Sequence, residues 1–514
     1  MPQTFNIGVD VAFRQAPADV ALVELDANGT PAYFCFGDIR RMAGRLANVL
    51  HAYGLSRADR VAILLSQRHE TAVAHVAIYI SGMIAVPLFL LFGEDAIEFR
   101  LRDSGARAIV TDEEGVAKLN RIQHALPSLE HIFCINGDVD GTISFHDALR
   151  RASDDFEPVL TRSDDPALII YTSGTTGNPK GALHAHRVLL GHLPGVVYPH
   201  NRFPQVGDRF WTPADWAWIG GLLDVLLPSW HYGVPVVAYR APKFDPSAAL
   251  DLMVRHEIRN VFMPPTALRL LRQSGERRAS LNLRSVASGG ESLGGDLVEW
   301  GRDVLGLTIN EFYGQTECNL VLGNGEGLPE ARTGWTGTAI PGHIVRVVGN
   351  DGSLLPFGNV GNIAILHPDP VMFIRYWENP AATAAKFVGS WLLTGDLGVQ
   401  DNLGYFKFIG REDDLITSSG YRIGPGEIEE CLMRHPAVAK AGVVGVPDPI
   451  RTQVVKAVIV LAKGFEPTAA LSRDIQNFVR SRLAAHEYPR VLEFAAELPS
   501  TATGKIQRRK LRGS

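Results

Sequence analysis

The chain is poor in cysteine. Four cysteines occur among 514 residues, and none of Cys35, Cys134, Cys318 and Cys431 has the spacing of a metal site or a disulfide framework. We therefore expect free, mostly buried thiols in a reducing compartment, and the predicted location is the cytoplasm. The first residues, Met-Pro-Gln-Thr-Phe, lack the basic and apolar regions of an export signal, which agrees with that location.

The chain also lacks the net positive charge that is typical of nucleic-acid-binding proteins. Its formal net charge is −5 at pH 7, and only the last dozen residues are strongly basic. A protein without a basic surface has nothing to steer it toward the backbone of a nucleic acid. The charge balance therefore predicts that nucleic acids are not partners.

One long run without charge needs an interpretation. The 21 positions from Ala72 to Phe92 contain no Asp, Glu, Lys or Arg, which meets the length of a membrane span. Gly82 and Pro87 interrupt the run, however, and Gly93-Glu-Asp95 closes it like a turn. The pattern predicts a buried helix up to about Gly82, then a short buried strand over Ala85–Phe89, and no integral membrane association.

The rest of the sequence has the texture of an α/β protein. The chain is long enough for more than one domain, and its hydrophobic content of 46% and charged content of 20% are globular values. Strand-like runs such as Val61–Leu65 alternate with helix-type patterns such as Asp38–Tyr53. This alternation predicts a large N-terminal domain of mostly parallel sheets with helices, over residues 1–411.

Two smaller regions follow. From Val345 onward, short strands separated by Gly, Asn and Asp turns predict a β-rich subdomain over about 340–411. Residues 412–514 suffice for a small α+β domain, with helices near Pro425–His435 and Ser472–Leu483 and strands at Ala441–Val446 and Val454–Leu461.

The most informative segment is Tyr171-Thr-Ser-Gly-Thr-Thr-Gly-Asn-Pro-Lys-Gly181, which follows the strand-like run Pro166–Ile170. Hydroxyls, glycines and a lysine at this density can turn several donors toward one anion. The spacing is not that of a Walker loop, which needs Gly-x4-Gly-Lys-Ser/Thr. The segment is interpreted as a phosphate-binding loop, with a plain polar surface loop as the alternative.

The loop Tyr171–Gly181 resembles the signature loop of the adenylate-forming enzymes, the superfamily of acyl-CoA synthetases, peptide-synthetase adenylation domains and luciferases. The resemblance is closest to medium-chain acyl-CoA synthetases, through Trp211-Thr-Pro-Ala-Asp-Trp-Ala-Trp218 and Ser418-Ser-Gly-Tyr-Arg-Ile-Gly-Pro425. It implies a mobile C-terminal domain that swings about a hinge at Asp413.

The resemblance further implies an ATP site built from distant segments. Tyr313 would stack on the adenine, Thr316 would bond the α-phosphate, and Glu317 would hold Mg²⁺, a hard cation that prefers carboxylate and phosphate oxygens. Asp396 would accept hydrogen bonds from the ribose, reinforced by Arg411. The nucleotide-binding residues implied in this way are Thr172, Ser173, Gly174, Thr175, Thr176, Gly177, Lys180, Gly290, Glu291, Ser292, Glu311, Phe312, Tyr313, Gly314, Gln315, Thr316, Asp396 and Arg411.

A lysine near the C-terminus completes the implied catalytic set. Lys505 lies in Pro499-Ser-Thr-Ala-Thr-Gly-Lys-Ile-Gln-Arg508, and in the family this lysine reaches the carboxylate and the α-phosphate when the small domain closes. The catalytic residues are thus Lys505, Thr316 and Glu317. A solvated tail is expected for the remaining basic residues, which are Arg508, Arg509, Lys510 and Arg512.

Coenzyme A would reach the adenylate through the small domain, where a side chain on Gly420 would obstruct the pantetheine. The residues implied for CoA binding are Ser419, Gly420, Tyr421, Arg422, Arg451, Arg480, Tyr488 and Arg490. Arginine suits a phosphate group, although a plain surface role is equally open for these arginines.

The acid itself is the least determined part. Acetate-specific relatives carry a tryptophan where this chain has Gly314, so the glycine predicts room for a longer, branched or aromatic acid. The implied acyl-pocket residues are Trp211, Trp216, Trp218, Gly220 and Gly314, although tryptophans in such a run are more often core residues.

The predicted function is an ATP-dependent acyl-CoA synthetase. It would join AMP to a carboxylic acid with release of pyrophosphate and then pass the acyl group to CoA, using ATP, Mg²⁺ and coenzyme A as a monomer or homodimer. The alternatives are a ligase that loads a carrier protein, an oxidase of the luciferase type, and a nucleotide-binding module that has lost catalysis.

Overall fold

The computed structural model describes residues 1–172, 179–239, 241, 243–291, 293–418, 421–449, 451–483, 487–500 and 506–512, and for Asp413, Thr417, Tyr421 and Arg422 the backbone alone. The chain divides into two compact units. The first comprises Met1–Thr333, Gly337–Ile344 and Leu366–Phe387, and the second Gly334–Thr336, Val345–Ile365 and Val388–Ser514. The functional division at residue 411 stays a prediction.

Two sheets organise the first unit, and both are parallel through their centres. The strands of the first sheet are, in spatial order, Pro31–Cys35, Val20–Leu25, Val236–Ala238, Phe210–Trp211, Asn260–Phe262, Ser285–Ser288, Ile309–Gln315, Cys318–Gly323 and Gly337–Ala339. Those of the second are Arg375–Tyr376, Lys180–Ala185, Pro166–Thr172, Ile84–Pro87, Arg60–Leu64, Ala108–Thr111, His131–Cys134 and Ile143–Ser144. The alternation of strands and helices along the chain confirms the predicted α/β class.

Helices cover these sheets. The α-helices of the first unit are Phe36–Ala52, His69–Ile80, Glu94–Ser104, Glu113–Ile122, Phe145–Arg151, Val188–Val197, Ile219–Gly221, Leu227–His231, Pro246–Arg255, Pro265–Ser274, Gly295–Trp300 and Pro380–Ala384. Shorter helical turns occur at Val9–Phe13, Gln123–Ala125, Leu222–Leu226 and Gly301–Leu305.

The helix Pro246–Arg255 illustrates how the sequence sets these elements. The Asp245 side chain accepts a hydrogen bond from the Ala248 backbone N–H at 2.7 Å, and proline occupies the first turn, where its missing N–H costs nothing. Leu250 and Met253 then lie three residues apart on one buried face. The capped N-terminus and the single apolar face together stabilise the packing of this helix on the first sheet.

The uncharged run Ala72–Phe92 lies in the core of the first unit. It forms most of the helix His69–Ile80 and the strand Ile84–Pro87, and both are buried. This confirms the predicted buried helix and strand. Across the described ranges, no helix combines the length and apolarity that crossing a membrane requires.

That buried helix begins at a carboxylate held by cations. Glu70 is almost fully buried, Arg68 Nε lies 2.6 Å from its Oε2, and His146 Nε2 lies 3.3 Å from its Oε1. Burial raises the pKa of Glu70, but the hydrogen bond from His146 and the charges of His69 and Arg68 outweigh it and lower the pKa to about 2. Ionised Glu70 therefore stabilises the fold.

Glu70→Gln is expected to reduce the free energy of unfolding at pH 7 by on the order of 3 kcal/mol. Because the folded-state pKa lies below the ordinary value of 4.5, the stabilisation is present above that pH and is lost as the pH falls toward 2. Urea unfolding of both proteins at decreasing pH measures the difference, and the same change at exposed Glu466 is the control. A difference that does not shrink on acidification would contradict this role.

The second unit contains the β-rich region and the C-terminal α+β region. Antiparallel pairs form between Val345–Val348 and Val360–Leu366, and between Trp391–Gln400 and Tyr405–Arg411. The C-terminal sheet has the order Tyr421–Ile423, Ile416–Ser418, Thr452–Leu461 and Val438–Asp448, with Val491–Phe494 parallel to Thr452–Leu461. Its helices are Pro425–Met433, Ala469–Arg480 and Arg508–Arg512, with a single turn at Glu412–Asp414, and the short strand Phe387–Val388 lies at the chain boundary of the two units.

One expectation for the C-terminus was wrong. Arg508 is not part of a solvated tail, because its guanidinium lies 2.6 Å from Glu429 and 3.1 Å from Asp414. Arg512 also pairs with Asp414, at 3.3 Å. Pairing of this kind fixes the last helix to the domain, whereas Arg509 and Lys510 are exposed as expected.

Candidate active site

Three parallel strands of the first sheet end beside one another. Asn260–Phe262 pairs with Ser285–Ser288, which pairs in turn with Ile309–Gln315, so that Ser288 lies opposite Glu311. The carboxyl ends of parallel strands meet at one edge of a sheet, where ligands of open α/β sheets bind. The register therefore brings together the starts of two motifs that are separate in sequence, since the paired residues Ser288 and Glu311 are 23 positions apart.

The two motifs are in direct contact through a glycine. An ideal Cβ on Gly289 would lie 2.4 Å from the Phe312 ring, so only glycine allows this approach, and Gly290 has a φ of +91°. The Phe312 ring is buried against Phe262, with ring centroids 5.3 Å apart. The glycine turn thus packs directly on the strand end, and the Phe312 ring is a core side chain, whereas the adenine wall stays a prediction.

The other members of these motifs are partly accessible. Tyr313, Gln315 and Thr316 are half-buried. The Glu291 carboxylate accepts a hydrogen bond from Thr266 Oγ1 at 3.1 Å and lies 3.3 Å from Arg269 Nη1, which ties it to the helix Pro265–Ser274. Ser292 lies outside the described residues.

The predicted metal ligand and the predicted phosphate-binding lysine meet at a tyrosine. The Tyr376 hydroxyl donates to Oε1 of Glu317, and Lys180 Nζ lies 5.3 Å from the centroid of the Tyr376 ring. Glu317 is 7% exposed and follows a strand of the first sheet, whereas Lys180 belongs to the second sheet. The structure therefore assembles an acid, a phenol and an ammonium group from two sheets.

The segment Phe373–Trp377 holds this arrangement in place. The Phe373 N–H donates to the Glu317 carbonyl at 2.9 Å, and the Trp377 N–H donates to the Gly181 carbonyl at 2.7 Å. Between them, the Ile374 N–H donates to the Leu183 carbonyl at 2.7 Å. These backbone bonds fix the Glu317 turn relative to the strand that carries Lys180.

The space expected beside Gly314 is filled. An ideal Cβ on Gly314 would lie 2.4 Å from the Leu320 backbone N and 2.7 Å from Asn319 Oδ1. The strands Ile309–Gln315 and Cys318–Gly323 form a tight hairpin with a register shift at this glycine, so the hairpin returns directly over its Cα. The glycine is needed for the hairpin and does not by itself open room for a long acid.

Gly314→Ala is therefore expected to destabilise the fold by about 2 kcal/mol, because a methyl group would press on the backbone of the returning strand. Thermal unfolding, together with relative rates for acetate and pentanoate, measures both consequences. Gly426→Ala is the control, since nothing lies within 4 Å of a Cβ at that helical glycine. A stable variant with a new preference for acetate would restore the sequence-based interpretation.

Two of the three predicted pocket tryptophans are core residues. Trp216 has no exposed surface and Trp211 is 3% exposed, because each packs inside a hydrophobic cluster of the first unit. Trp218 differs: it is half-buried, and its ring lies 5.6 Å from that of Phe89 and 5.8 Å from that of Phe92. Of the three, only Trp218 has surface left to offer a ligand.

In the second unit, the predicted ribose-binding residues are neighbours. Asp396 and Arg411 face each other across the strands Trp391–Gln400 and Tyr405–Arg411, and Arg411 Nη1 lies 3.4 Å from Asp396 Oδ1. The Asp396 N–H donates to Thr394 Oγ1 at 3.1 Å. This arrangement presents a carboxylate of fixed position with a guanidinium beside it.

Three of the predicted CoA-binding residues, Arg480, Tyr488 and Arg490, lie close together. Arg480 and Arg490 are exposed, and their guanidinium carbons lie 5.5 and 5.0 Å from the centroid of the Tyr488 ring. Arg451 is half-buried, and its backbone N–H donates to Asp448 Oδ1 at 2.8 Å. Several predicted residues lie outside the described residues, namely Ser173, Gly174, Thr175, Thr176, Gly177, Ser419, Gly420 and Lys505, as do the side chains of Asp413, Tyr421 and Arg422.

Three residues of this region were missed from the sequence, namely Tyr376, Asp224 and Asn319. Tyr376 belongs to no recognisable spacing, because its role arises from the antiparallel pairing of Arg375–Tyr376 with Lys180–Ala185. Asp224 carried a signal that could have been used, since it is an acid within the apolar run Leu222–Leu227. Asn319 directly follows the last motif and offered no signal of its own.

Comparisons with known proteins agree with this geometry. The family model of the AMP-binding enzymes matches residues 9–377, and that of the AMP-binding enzyme C-terminal domain matches residues 427–505. Acyl-coenzyme A synthetase ACSM2B, mitochondrial, from Homo sapiens is 36% identical over 530 residues, which cover 100% of this chain and 91% of the relative. Acetyl-coenzyme A synthetase from Bacillus subtilis (strain 168) is 35% identical, over 96% of this chain and 87% of that protein.

A solved structure shows the same fold over the whole chain. The crystal structure of the anthranilate CoA ligase AuaEII in complex with anthranoyl-AMP matches with a TM-score of 0.90 and 30% identity, covering 100% of this chain and 98% of the other. The strand-end site and these matches define the class as AMP-forming acid–CoA ligases, for which ATP and CoA are substrates. The chain belongs to the AMP-binding enzyme family. The family, the α/β architecture and the reaction class predicted from the motifs are thereby confirmed.

Proposed function

We propose that this ligase activates a carboxylic acid in two half-reactions at one nucleotide site. The choice of an acid longer than acetate rests on the family resemblance alone, because acetate-specific relatives have tryptophan at position 314, whereas Gly314 itself is covered by the hairpin. The observation that carries the proposal is the convergence of Lys180, Tyr376 and Glu317 from two sheets. An ammonium group and a carboxylate that both contact one tyrosine suit a triphosphate and its cation. The site residues below are proposals that rest on this geometry and on the family resemblance.

In the first half-reaction, a carboxylate oxygen of the acid attacks the α-phosphorus of ATP. The new O–P bond forms as the bond to pyrophosphate breaks, and the product is the acyl adenylate. No protein nucleophile is required, so the work of the site is positioning and charge neutralisation. Lys180 and the segment Thr172–Gly177 would hold the phosphates, and Thr316 and Lys505 would contact the α-phosphate.

The family resemblance assigns the nucleoside to residues of several motifs. Tyr313 would stack on the adenine, beside the wall of Gly290, Glu291 and Ser292 and the strand end Glu311–Gln315. Asp396 would accept both ribose hydroxyls, with Arg411 beside it. The Arg411 guanidinium lies 3.4 Å from Asp396, so it places positive charge beside the oxygens that would accept from the two ribose hydroxyls.

Glu317 is the residue that fits Mg²⁺. It is a nearly buried carboxylate whose one described side-chain partner, Tyr376, binds Oε1. Oxygen ligands from one carboxylate plus substrate phosphates are the usual way this cation is held. When bound, Mg²⁺ would neutralise charge on the phosphates, and Tyr376 would orient the carboxylate toward it.

In the second half-reaction, the sulfur of CoA attacks the acyl carbon and the C–O bond to AMP breaks. The C-terminal domain would first rotate about Asp413 and expose a tunnel past Ser419, Gly420, Tyr421 and Arg422. Arg451, Arg480, Tyr488 and Arg490 would bind the phosphates and adenine of CoA. The two exposed guanidinium groups within about 5.5 Å of the Tyr488 ring centroid support this assignment for Arg480 and Arg490.

A pyrophosphate-release screen tests the proposal. The panel spans acetate, linear acids to octanoate, branched acids, benzoate and anthranilate, since the similar proteins include an acetyl-coenzyme A synthetase and an anthranilate CoA ligase. We expect release with at least one acid longer than acetate and faster turnover when CoA is added. Release that CoA does not stimulate would favour a carrier-loading ligase or a luciferase-type oxidase, and no release at all would favour a module without catalysis.

We propose that the protein is cytoplasmic and that it is a monomer or a homodimer.

A further inference from the structure

An aspartate lies where the surrounding sequence is wholly apolar. Asp224 belongs to the helical stretch Leu222–Leu226, and the other members of that stretch have no exposed surface. Asp224 itself is 3% exposed. Removing a carboxyl from water is costly unless partners replace the lost hydration, so a buried aspartate in a leucine-rich stretch requires an explanation.

The partners of Asp224 do not satisfy it. Asn319 Nδ2 donates to Asp224 Oδ1 at 2.6 Å, and this bond is buried. Within the described ranges, no Arg, Lys or His pairs with the carboxyl, and no second donor reaches it. Burial raises the pKa of Asp224 well above its ordinary value, and the Asn319 hydrogen bond opposes that rise only in part. Oδ2 is therefore a polar atom with unused hydrogen-bonding capacity.

The pair lies between the two glycines that the family resemblance assigns to the acyl pocket. An ideal Cβ on Gly314 would lie 2.7 Å from Asn319 Oδ1, and one on Gly220 would lie 3.5 Å from Asp224 Oδ2. Gly220 follows the half-buried residues Trp218 and Ile219. It lies in the short helix Ile219–Gly221, which immediately precedes the stretch Leu222–Leu226. Asp224 therefore lies beside Gly220, which also packs on the Phe262 ring and is two positions from the half-buried Trp218.

We propose that Asp224 and Asn319 form a polar subsite for the acyl group, which takes a carboxylic acid carrying a hydroxyl or amino substituent. This inference rests on the proposed acid–CoA ligase function. A substituent that hydrogen-bonds Oδ2 satisfies the buried carboxyl, whereas a plain alkyl or aryl acid leaves it unsatisfied. A site that hydrogen-bonds a substrate group discriminates strongly against the analogue that lacks the group.

The test compares matched acids in pyrophosphate release. The pairs are benzoate with its ortho-, meta- and para-hydroxy and amino derivatives, and pentanoate with the hydroxypentanoates. We expect kcat/KM for at least one substituted acid to exceed that of its unsubstituted partner by about 10- to 100-fold. Equal rates for every pair, or a preference for every unsubstituted acid, would overturn the inference alone. No release with any acid would overturn the proposed function as well.

Variants test whether a preference for substituted acids depends on Asp224 and Asn319. Asp224→Leu removes both oxygens at similar volume and is expected to abolish the preference for substituted over plain acids. Asp224→Asn keeps the shape and is expected to reduce the preference for amino-substituted acids more than for hydroxy-substituted ones, even if the leucine variant does not fold. Ser229→Ala is the matched control, because Ser229 is another buried polar residue of this helical region. An unchanged ratio of substituted to plain acid in both Asp224 variants would show that the pair only anchors the hairpin.

Discussion

Lys505→Ala is expected to slow adenylate formation by about 10²–10³-fold while thioester formation from supplied acyl-AMP continues at nearly the wild-type rate. The motif Pro499–Arg508 places this lysine directly after Thr503-Gly504, a dipeptide typical of tight turns. In the proposed mechanism its ammonium group neutralises the charge that develops as the carboxylate attacks the α-phosphorus, and that attack occurs only in the first half-reaction.

The experiment separates the half-reactions. Pyrophosphate release from ATP and acid reports the first, and acyl-CoA formation from synthetic acyl-AMP reports the second. Lys510→Ala is the control, because Lys510 is an exposed lysine of the neighbouring helix Arg508–Arg512. Equal loss in both half-reactions would contradict a role that depends on rotation of the small domain.

Glu317→Gln is expected to reduce adenylate formation by about 10²-fold at saturating Mg²⁺, because the amide keeps the shape but loses the charge that binds the cation. Tyr376→Phe keeps the ring beside Lys180 and removes only the hydroxyl that donates to Glu317. It is expected to raise the Mg²⁺ concentration for half-maximal rate with a smaller change in the maximal rate.

Rates measured across a Mg²⁺ titration distinguish these effects. Glu326→Gln, at an exposed carboxylate in the same unit, is the control and is expected to leave the titration unchanged. If both active-site variants lost activity with no shift in Mg²⁺ dependence, Glu317 would be a structural residue rather than a cation ligand.

Much of the architecture could be predicted from the sequence because its signals are local. The helix predicted over Asp38–Tyr53 is Phe36–Ala52, and the strand predicted over Val454–Leu461 is Thr452–Leu461. Apolar spacing and flanking polar residues set such elements, so neighbours in the chain suffice to predict them. The order of the motifs identified the family in the same way.

What could not be predicted arises from contacts between distant segments. Arg508 looked like one basic residue of a tail, but two carboxylates, one of them seventy-nine positions away, pair with it. Tyr376 became visible only when a short strand paired with the edge of the second sheet. The backbone that covers Gly314 comes from a hairpin return that composition does not reveal. Each of these contacts depends on strand register and chain return, and neither can be read from local spacing.

The backbone hydrogen bonds of the segment Phe373–Trp377 hold the residues proposed to bind ATP independently of those proposed to select the acid. Backbone hydrogen bonds from this segment connect the Glu317 turn with the strand that carries Lys180. None of these bonds involves Gly220, Asp224 or Asn319. Mutations at the proposed acyl subsite would therefore leave in place the backbone hydrogen bonds that align Glu317 with Lys180, so the accepted acid could change while the handling of ATP is kept.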